Sequence, residues 1–459
     1  MNKKNEVRAQ DLSRGRRFFL LTLVSMGSSI IYTPAYLKNV FYDPLMEALD
    51  VTNAQLGQFL SAYAITALIC YFPSGVIADK VRVRTLSWVG FMLTAALTFV
   101  YATLPSVGTL MMVFVGMGIS TILIWWGIRF KLVRLISEEE EYSKNIGISY
   151  GLYGAAGLAV GLICLLFIKY IASATDSMRW MLIFLGVLIF VLGLLSFLIP
   201  KFEGEIADSS QGFNLSEVGM ALKSPVVWMA AAIMFFVYFY YTGVTYTTPY
   251  LSSVMGASIG IVSLVSIVRQ YGVTLLSGPA FGFLAKGAGS PTRVIGWGSV
   301  VAVIALVTIA FLPAGAAMAV VAAIIAILLG FIANGVFGIV SSALTEGKVP
   351  LTIFGTATGV LSVIGFAPDT FSSIWFGALI DNKGNDAYVE IFMILAGAAI
   401  LATAFSFLLH FYVKKNEKKL EAAQLTAAAE AQGISLEEAA DLVGVDEGVV
   451  ADASEDLEG

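Results

Sequence analysis

Residues 54–84 read AQLGQFLSAYAITALICYFPSGVIADKVRVR. From Ala54 to Ala78 there is no charged side chain, and a helix rising about 1.5 Å per residue crosses the roughly 30 Å hydrocarbon core of a bilayer in about 20 residues. At Asp79 the character changes abruptly: an acid, then Lys80, Arg82 and Arg84. An apolar span ends there and a basic loop begins, as where a helix leaves the membrane on its positively charged side.

The rest of the chain repeats this alternation. Of 459 residues, 58% are hydrophobic and 13% charged, whereas soluble domains carry about a quarter charged residues. That deficit excludes a water-facing globule. Apolar windows broken by charge, Pro and Gly predict spans over 18–42, 54–78, 85–104, 108–133, 145–170, 180–199, 225–250, 259–285, 294–313, 316–344, 353–380 and 388–412. The fold expected is an all-α membrane protein of twelve transmembrane helices in two pseudo-symmetric six-helix bundles. Its parts are a basic amino terminus (1–17), a first bundle (18–200), a linker (201–224), a second bundle (225–412) and a tail (413–459). No cleavable signal peptide is read at the start, because the first apolar run is too long.

Basic residues fall on alternate loops. One set holds the amino terminus, Lys80, Arg82, Arg84, Arg134, Lys144, Lys201, Lys223, Lys286, Arg293, Lys348 and the lysines from Lys414 to Lys419; the other holds little beyond Lys169, Arg179 and Lys383. The asymmetry predicts both termini in the cytoplasm. Much of the acid behind the formal charge of −5 lies between Glu430 and Glu458, read as a short helix (420–431) followed by a solvated tail. Cys70 and Cys164 sit in apolar runs and read as buried hydrophobes. One histidine, His410, leaves no Ser-His-Asp set and no metal cluster, and no glycine loop cradles a phosphate, so neither an enzyme nor a cofactor or metal site is expected. The partners expected are a small solute and membrane lipid, not nucleic acid, for a protein acting as a monomer.

The stretch Gly75-Val-Ile-Ala-Asp79-Lys80-Val-Arg82-Val-Arg84 resembles the loop after the second span in the major facilitator superfamily, with Arg82 where that pattern carries glycine. The resemblance implies alternating access between two bundles and a conformational latch made by Gly75, Asp79, Lys80, Arg82 and Arg84. The second copy, Gly282-Phe-Leu-Ala-Lys286, has lysine in the acid's place, so the latch is expected on one side only. Residues 31–57, with Tyr36, Lys38 and Asn39, and the seventh span from Phe236 to Leu251 are similar to the organophosphate and organic-anion branch. Arg269-Gln270-Tyr271, Ser277-Gly278-Pro279 and Ile364-Gly365-Phe366-Ala367-Pro368 are similar to the bacterial YihN-like transporters, a resemblance that implies a place in the bacterial inner membrane. The arginines that organophosphate exchangers carry in spans one and seven are replaced by Ala35 or Tyr36 and by Tyr241.

Ionisable groups deep in a span persist mainly where they face a cavity or a partner. Arg269, near the middle of span eight, is the leading substrate-contact candidate, because its forked donor suits carboxylate or phosphate. Asp369 follows Pro368 at similar depth; it is expected to pair with Arg269 when no solute is present and to take a proton when an anion displaces it. Lys38 and Arg129 are further cation candidates, with snorkelling and positive-inside bias as their ordinary explanations. Tyr238 and Tyr241, one turn apart, are expected in the cavity, with Tyr32, Tyr36 and Asn334 beside them; Tyr246 and Tyr250 are expected in an interfacial belt. Glycines at 147, 151, 154, 157 and 161, and at 355, 359 and 365, are expected to play matching packing roles. The function expected is transport of a small organic anion by alternating access, with a proton as a possible co-substrate. The competing readings are proton-coupled movement of a neutral sugar or efflux substrate, and a membrane sensor that kept the fold.

Overall fold

The computed structural model describes residues 6–138, 141–206, 215–432, 434–436, 438 and 440. Apart from an isolated bridge between Val7 and Phe202, regular structure among the described residues is helical. The reason is the solvent: hydrocarbon offers no partner for a backbone amide, so each span satisfies its own.

In chain order the long helices are α1 (Arg14–Tyr32), α2 (Asn53–Lys80), α3 (Val83–Ala102), α4 (Val107–Ile136), α5 (Tyr142–Tyr170) and α6 (Ala174–Leu195). After the linker come α7 (Pro225–Ser253), α8 (Ile259–Gly272 and Thr274–Ala288), α9 (Pro291–Ala310), α10 (Ala319–Ile339), α11 (Leu351–Gly365 and Ser372–Lys383) and α12 (Ala387–Lys415). A further helix, α13 (Glu417–Gln432), follows. Eight stretches are long and apolar enough to cross a membrane, or ten if the two bent pairs, α2 and α8, each count as one span. One of the eight, Ile353–Lys415, holds both α11 and α12, while α1 opens on Arg14, Arg16 and Arg17. A helix therefore lies at each of the twelve expected positions.

The repeat shows in the packing. In the first bundle α1 packs on α5, α2 on α4 and α3 on α6; in the second, α7 packs on α11, α8 on α10 and α9 on α12. Helix starts are specified locally. At α2 the Thr52 hydroxyl accepts from Gln55 N at 3.2 Å while the Gln55 side chain accepts from Thr52 N at 3.0 Å, a reciprocal cap.

Several boundaries differ from the sequence reading. The first span was expected to run to residue 42, but α1 stops at Tyr32 and the chain turns before a separate short helix, Tyr42–Leu49. The tenth was expected to reach 344, yet a second short helix, Ser342–Glu346, follows a break after Ile339. In α11 the helix breaks into a 3-10 turn, Ala367–Thr370, around Pro368, which cannot donate the amide a continuous helix needs. The expected helix at 420–431 is present as α13, and it is docked: it packs on α11, Leu425 is buried, and Glu421 pairs with Lys348 at 2.9 Å. The acidic stretch from 441 onward and linker residues 207–214 lie outside the described residues; the described part of the linker includes a helix, Leu215–Lys223.

The matched glycines agree only in part: Gly147 and Gly151, like Gly355 and Gly359, have open space beside them. Gly154, Gly157 and Gly161 seat α5 against α8, where a Cβ on Gly157 would lie 2.1 Å from the Tyr271 ring. Gly365 faces Met234 of its own bundle. The unforeseen close approach is between α2 and α11: a Cβ on Gly57 would lie 2.2 Å from the Ser373 carbonyl oxygen, and one on Gly377 would lie 2.4 Å from that of Asn53.

Candidate functional site

The two ends of the bundle pair behave differently. At the end where α1 begins and α12 closes, the polar contacts that follow each stay within one bundle. The amino-terminal arm lies along the segment after α6: Val7 bridges Phe202 and Arg8 pairs with Glu203 at 2.5 Å. Arg82, standing where the superfamily pattern has glycine, pairs with Glu6 at 2.6 Å and Glu205 at 3.2 Å. Glu205 also accepts from the amides of Val83 and Phe202, capping α3. The second bundle has its own version, in which Glu346 accepts from Thr292 N at 2.7 Å at the start of α9 and from the Ser290 and Thr292 hydroxyls. The side chains of Asp79 and Lys80 make no hydrogen bond or ion pair among the described residues, while Lys131, on whose charge Asp79 acts, donates to the Ala78 carbonyl. Gly75, with nothing within 4 Å of a notional Cβ, lies in the same open stretch, and Arg84 donates to the Ile199 carbonyl at 2.5 Å.

At the far end the bundles are joined. Asp381 at the close of α11 accepts from Asn53 N at 3.1 Å, Asn53 Nδ2 at 2.7 Å and Ala54 N at 2.8 Å. This carboxylate caps the start of α2, where the helix dipole favours negative charge. Ser252 donates to Asp43 across the bundles at 2.5 Å. Burial pushes the Asp43 carboxyl above the ordinary carboxylate range, outweighing the opposing hydrogen bond from Ser252. The Thr248 hydroxyl donates to the Asn39 carbonyl at 3.0 Å.

The candidate cations are drawn into this closure. Lys38 is 5% exposed; its Nζ donates to Ser373 Oγ in the other bundle at 2.9 Å and lies 5.2 Å from the Tyr246 ring, so it does not snorkel. Arg269 is 2% exposed and occupies a π-helical turn, Val268–Gly272. Its Nη1 donates to the Val244 carbonyl at 2.8 Å and Thr247 Oγ1 at 2.7 Å, and its Nη2 to the Asn39 carbonyl at 2.7 Å. The expected pair with Asp369 is not formed. Backbone carbonyls, which no side-chain pattern advertises, satisfy the guanidinium instead.

Asp369 is 4% exposed in the broken part of α11. Tyr238 donates to its Oδ2 at 2.6 Å, while Oδ1 is buried without a partner. Around it aromatic rings from both bundles meet. Tyr238 lies 4.8 Å from Phe366, Phe366 lies 5.2 Å from Tyr71, and Tyr71 lies 5.2 Å from Trp126. Tyr241 stacks on Phe337 at 4.8 Å, and Tyr36 meets Tyr63 edge-on at 5.4 Å. Arg129, one turn after Trp126 on α4, has its guanidinium 4.3 Å from the Tyr150 ring centre and 5.2 Å from that of Tyr153, and its Nε donates to Ser149 at 3.1 Å; one terminal nitrogen, Nη2, is buried with no hydrogen-bond partner. Tyr71, Phe366 and Trp126 carry no charge and fall in apolar runs, so sequence reasoning passed over them.

The remaining candidates make hydrogen bonds inside the protein. Asn334 donates to the Gly330 carbonyl at 2.9 Å and accepts from Thr274 at 3.2 Å, and Tyr32 donates to the Thr121 carbonyl at 3.3 Å. Tyr246 and Tyr250 are buried, donating to the carbonyls of Ser373 and Ile309 at 3.1 and 3.0 Å, rather than forming an interfacial belt. Cys70 and Cys164 are buried free thiols.

Two equivalent helical bundles, shut against each other at one end and enclosing orphaned polar groups between them, define a polytopic membrane carrier. The chain belongs to the Major Facilitator Superfamily, whose profile matches residues 18–373. It is 28% identical over 408 residues to the inner membrane protein YqcE of Escherichia coli (strain K12), covering 86% of this chain and 95% of that one. It is 23% identical over 419 residues to YihN of the same organism, covering 89% and 99%. Among solved structures, a bacterial homologue of the human lysosomal transporter Spinster in an inward-facing, unoccupied conformation aligns with a TM-score of 0.65 at 16% identity, covering 87% of this chain and 98% of that chain. The nucleoside transporter NupG aligns at 0.66 and 18%, covering 86% and 99%. The protein is a membrane transporter working by alternating access, not an enzyme.

Proposed function

We propose that the solute is a small organic anion, carried across a bacterial inner membrane by a monomer whose termini lie in the cytoplasm. The observation that carries the anion reading is a charge imbalance between the bundles. Lys38, Arg129 and Arg269 stand against the single carboxylate of Asp369, and none of the four belongs to a salt bridge among the described residues. A charge held within the bilayer costs about 2.5–3.5 kcal/mol, so uncompensated cations favour an anion. Arg129 Nη2 is the buried donor left free to receive it, and the aromatic walls suit the apolar part of an organic solute. The loop asymmetry supports the orientation, and with it the closed far end makes this an inward-facing arrangement.

A proton as co-substrate is favoured by the orphaned Oδ1 of Asp369. A buried carboxylate oxygen without a donor is costly while charged, and a proton removes that cost. With Arg269 committed elsewhere, the proton would enter directly at Asp369 rather than through a broken Arg269 pair.

The test is a thermal-shift panel of gluconate, glucuronate, glycerol 3-phosphate, glucose 6-phosphate and inorganic phosphate against glucose and uridine, followed by uptake into proteoliposomes. One of the anions is expected to stabilise the protein, with Arg129→Gln lowering its uptake about tenfold or more. Asp369→Asn should leave uptake insensitive to an imposed pH gradient. Stabilisation by glucose or uridine alone would overturn the anion reading.

A further inference from the structure

We infer that Arg269 exchanges partners during the cycle: its Nη2 donates to the Asn39 carbonyl while the far end is shut, and to an oxygen of the arriving anion while that end is open. This rests on the organic-anion reading and adds to it where the anion is first received and how it is released.

The division of the guanidinium carries the argument. Nη1 is anchored wholly within the second bundle, by Val244 and Thr247. The stem is pinned there too, since a Cβ on Gly330 of α10 would lie 2.4 Å from Arg269 Cγ. The π-helical turn, in which Val273 N reaches back to the Val268 carbonyl at 2.9 Å, sets the side chain's direction. Nη2 alone reaches the first bundle. When the bundles part at the far end, that bond breaks while the others hold, leaving a fixed, forked donor facing the opening. Such a donor matches carboxylate or phosphate, and its acceptors in the closed state are all neutral oxygens that no carboxylate supplements.

The acceptor is equally telling. The Asn39 carbonyl takes two donors from the second bundle, Arg269 Nη2 and the Thr248 hydroxyl. The adjacent Lys38 spends its ammonium on Ser373 of that bundle. Opening therefore uncovers two cations together. Closing returns Asn39 and Ser373 to them, so the solute's oxygens are displaced from the far end as it shuts, toward the free Nη2 of Arg129. Main-chain and hydroxyl oxygens thus stand in for the solute, and the anion and the closed gate compete for one nitrogen.

The test measures half-saturation from each face separately, in membrane vesicles sorted by access to a tag on the amino terminus, using whichever panel anion gives the largest thermal shift. Arg269→Gln is expected to raise half-saturation about tenfold or more from the far face and under about threefold from the terminal face. Thr248→Val keeps Arg269 and removes its competitor's support, so it should lower far-face half-saturation about two- to fivefold by populating the open state. It also stands in if Arg269→Gln does not fold; an unchanged far-face value would then overturn the inference. Equal weakening at both faces by Arg269→Gln would make Arg269 a permanent ligand, and no weakening at either a purely structural clasp; each overturns the exchange while leaving the anion reading intact. If no panel anion binds, the anion reading fails first and takes the exchange with it.

Discussion

Gly57→Ala should hold the far end open. In the closed arrangement the new methyl carbon would lie 2.2 Å from the Ser373 carbonyl oxygen, 2.5 Å from its carbon and 2.9 Å from Ile374 N. These are backbone atoms of α11, which cannot rotate aside, and ordinary contact needs about 3.5 Å. The helices must therefore separate by roughly 1 Å, at the about 1–3 kcal/mol typical of overpacking. That shifts the closed-to-open ratio about 5- to 150-fold, because the penalty exists only in the closed state. The same separation stretches the bonds from Asn53 and Ala54 to Asp381 and from Lys38 to Ser373. Spin labels on Glu47→Cys and Asp386→Cys, two exposed positions on opposite bundles at the far end, report the change by pulsed dipolar spectroscopy, since the native thiols are buried. The short-distance population should fall and a longer one grow, with the protein still folded. An unchanged distribution in a folded Gly57→Ala protein would refute the claim that this backbone approach governs closure.

The same label pair tests the acid at that end. Burial raises the Asp43 carboxyl in the closed state, so protons bind the closed state better than the open one. Closure is then favoured fully below the ordinary carboxylate value of about 3.9 and is progressively lost as pH rises from there through the raised value. Asp43→Asn should flatten that part of the pH response and keep the far end closed; a response identical to that of the unaltered protein would clear Asp43 of the role. At the other end, Glu205→Ala removes the acceptor shared by Arg82, Val83 and Phe202. A loss of about 2–3 kcal/mol, seen as a lower melting midpoint in detergent, is expected, and an unchanged midpoint would show that the arm and loop contribute nothing to stability.

Features written in local chemistry were legible early. The span positions follow from uninterrupted apolar runs, and the buried thiols from their neighbours. Asp79 was recognisable from its place after the second span. The break after Ile339 was missed because Val340, just beyond it, carries no charge and is not proline, whereas the short helix Tyr42–Leu49, with Asp43, Pro44 and Glu47, lies beyond the first span as read. Arg82 looked like a departure from a pattern; its reason lies in Glu6 and Glu205, about 76 and 123 positions away in sequence. Such a separation leaves no trace in a local reading.

The site divides along the same line. By itself, the sequence determined that this chain lives in a bilayer as helices, that its loops are unequally basic, and that Arg129, Arg269 and Asp369 lie within its spans; it read Lys38 inside the first span, whereas the structure puts it in a short turn beyond the end of α1. Those conclusions rest on side-chain hydrophobicity and charge, which each residue carries wherever it sits. Only the tertiary structure decided what those groups do. It gave Arg269 to the Asn39 carbonyl rather than to Asp369, tied Lys38 to Ser373, and left Arg129 Nη2 and Asp369 Oδ1 without partners. Every residue has a carbonyl, and every buried donor seeks an acceptor; which one it finds depends on which helices are brought together.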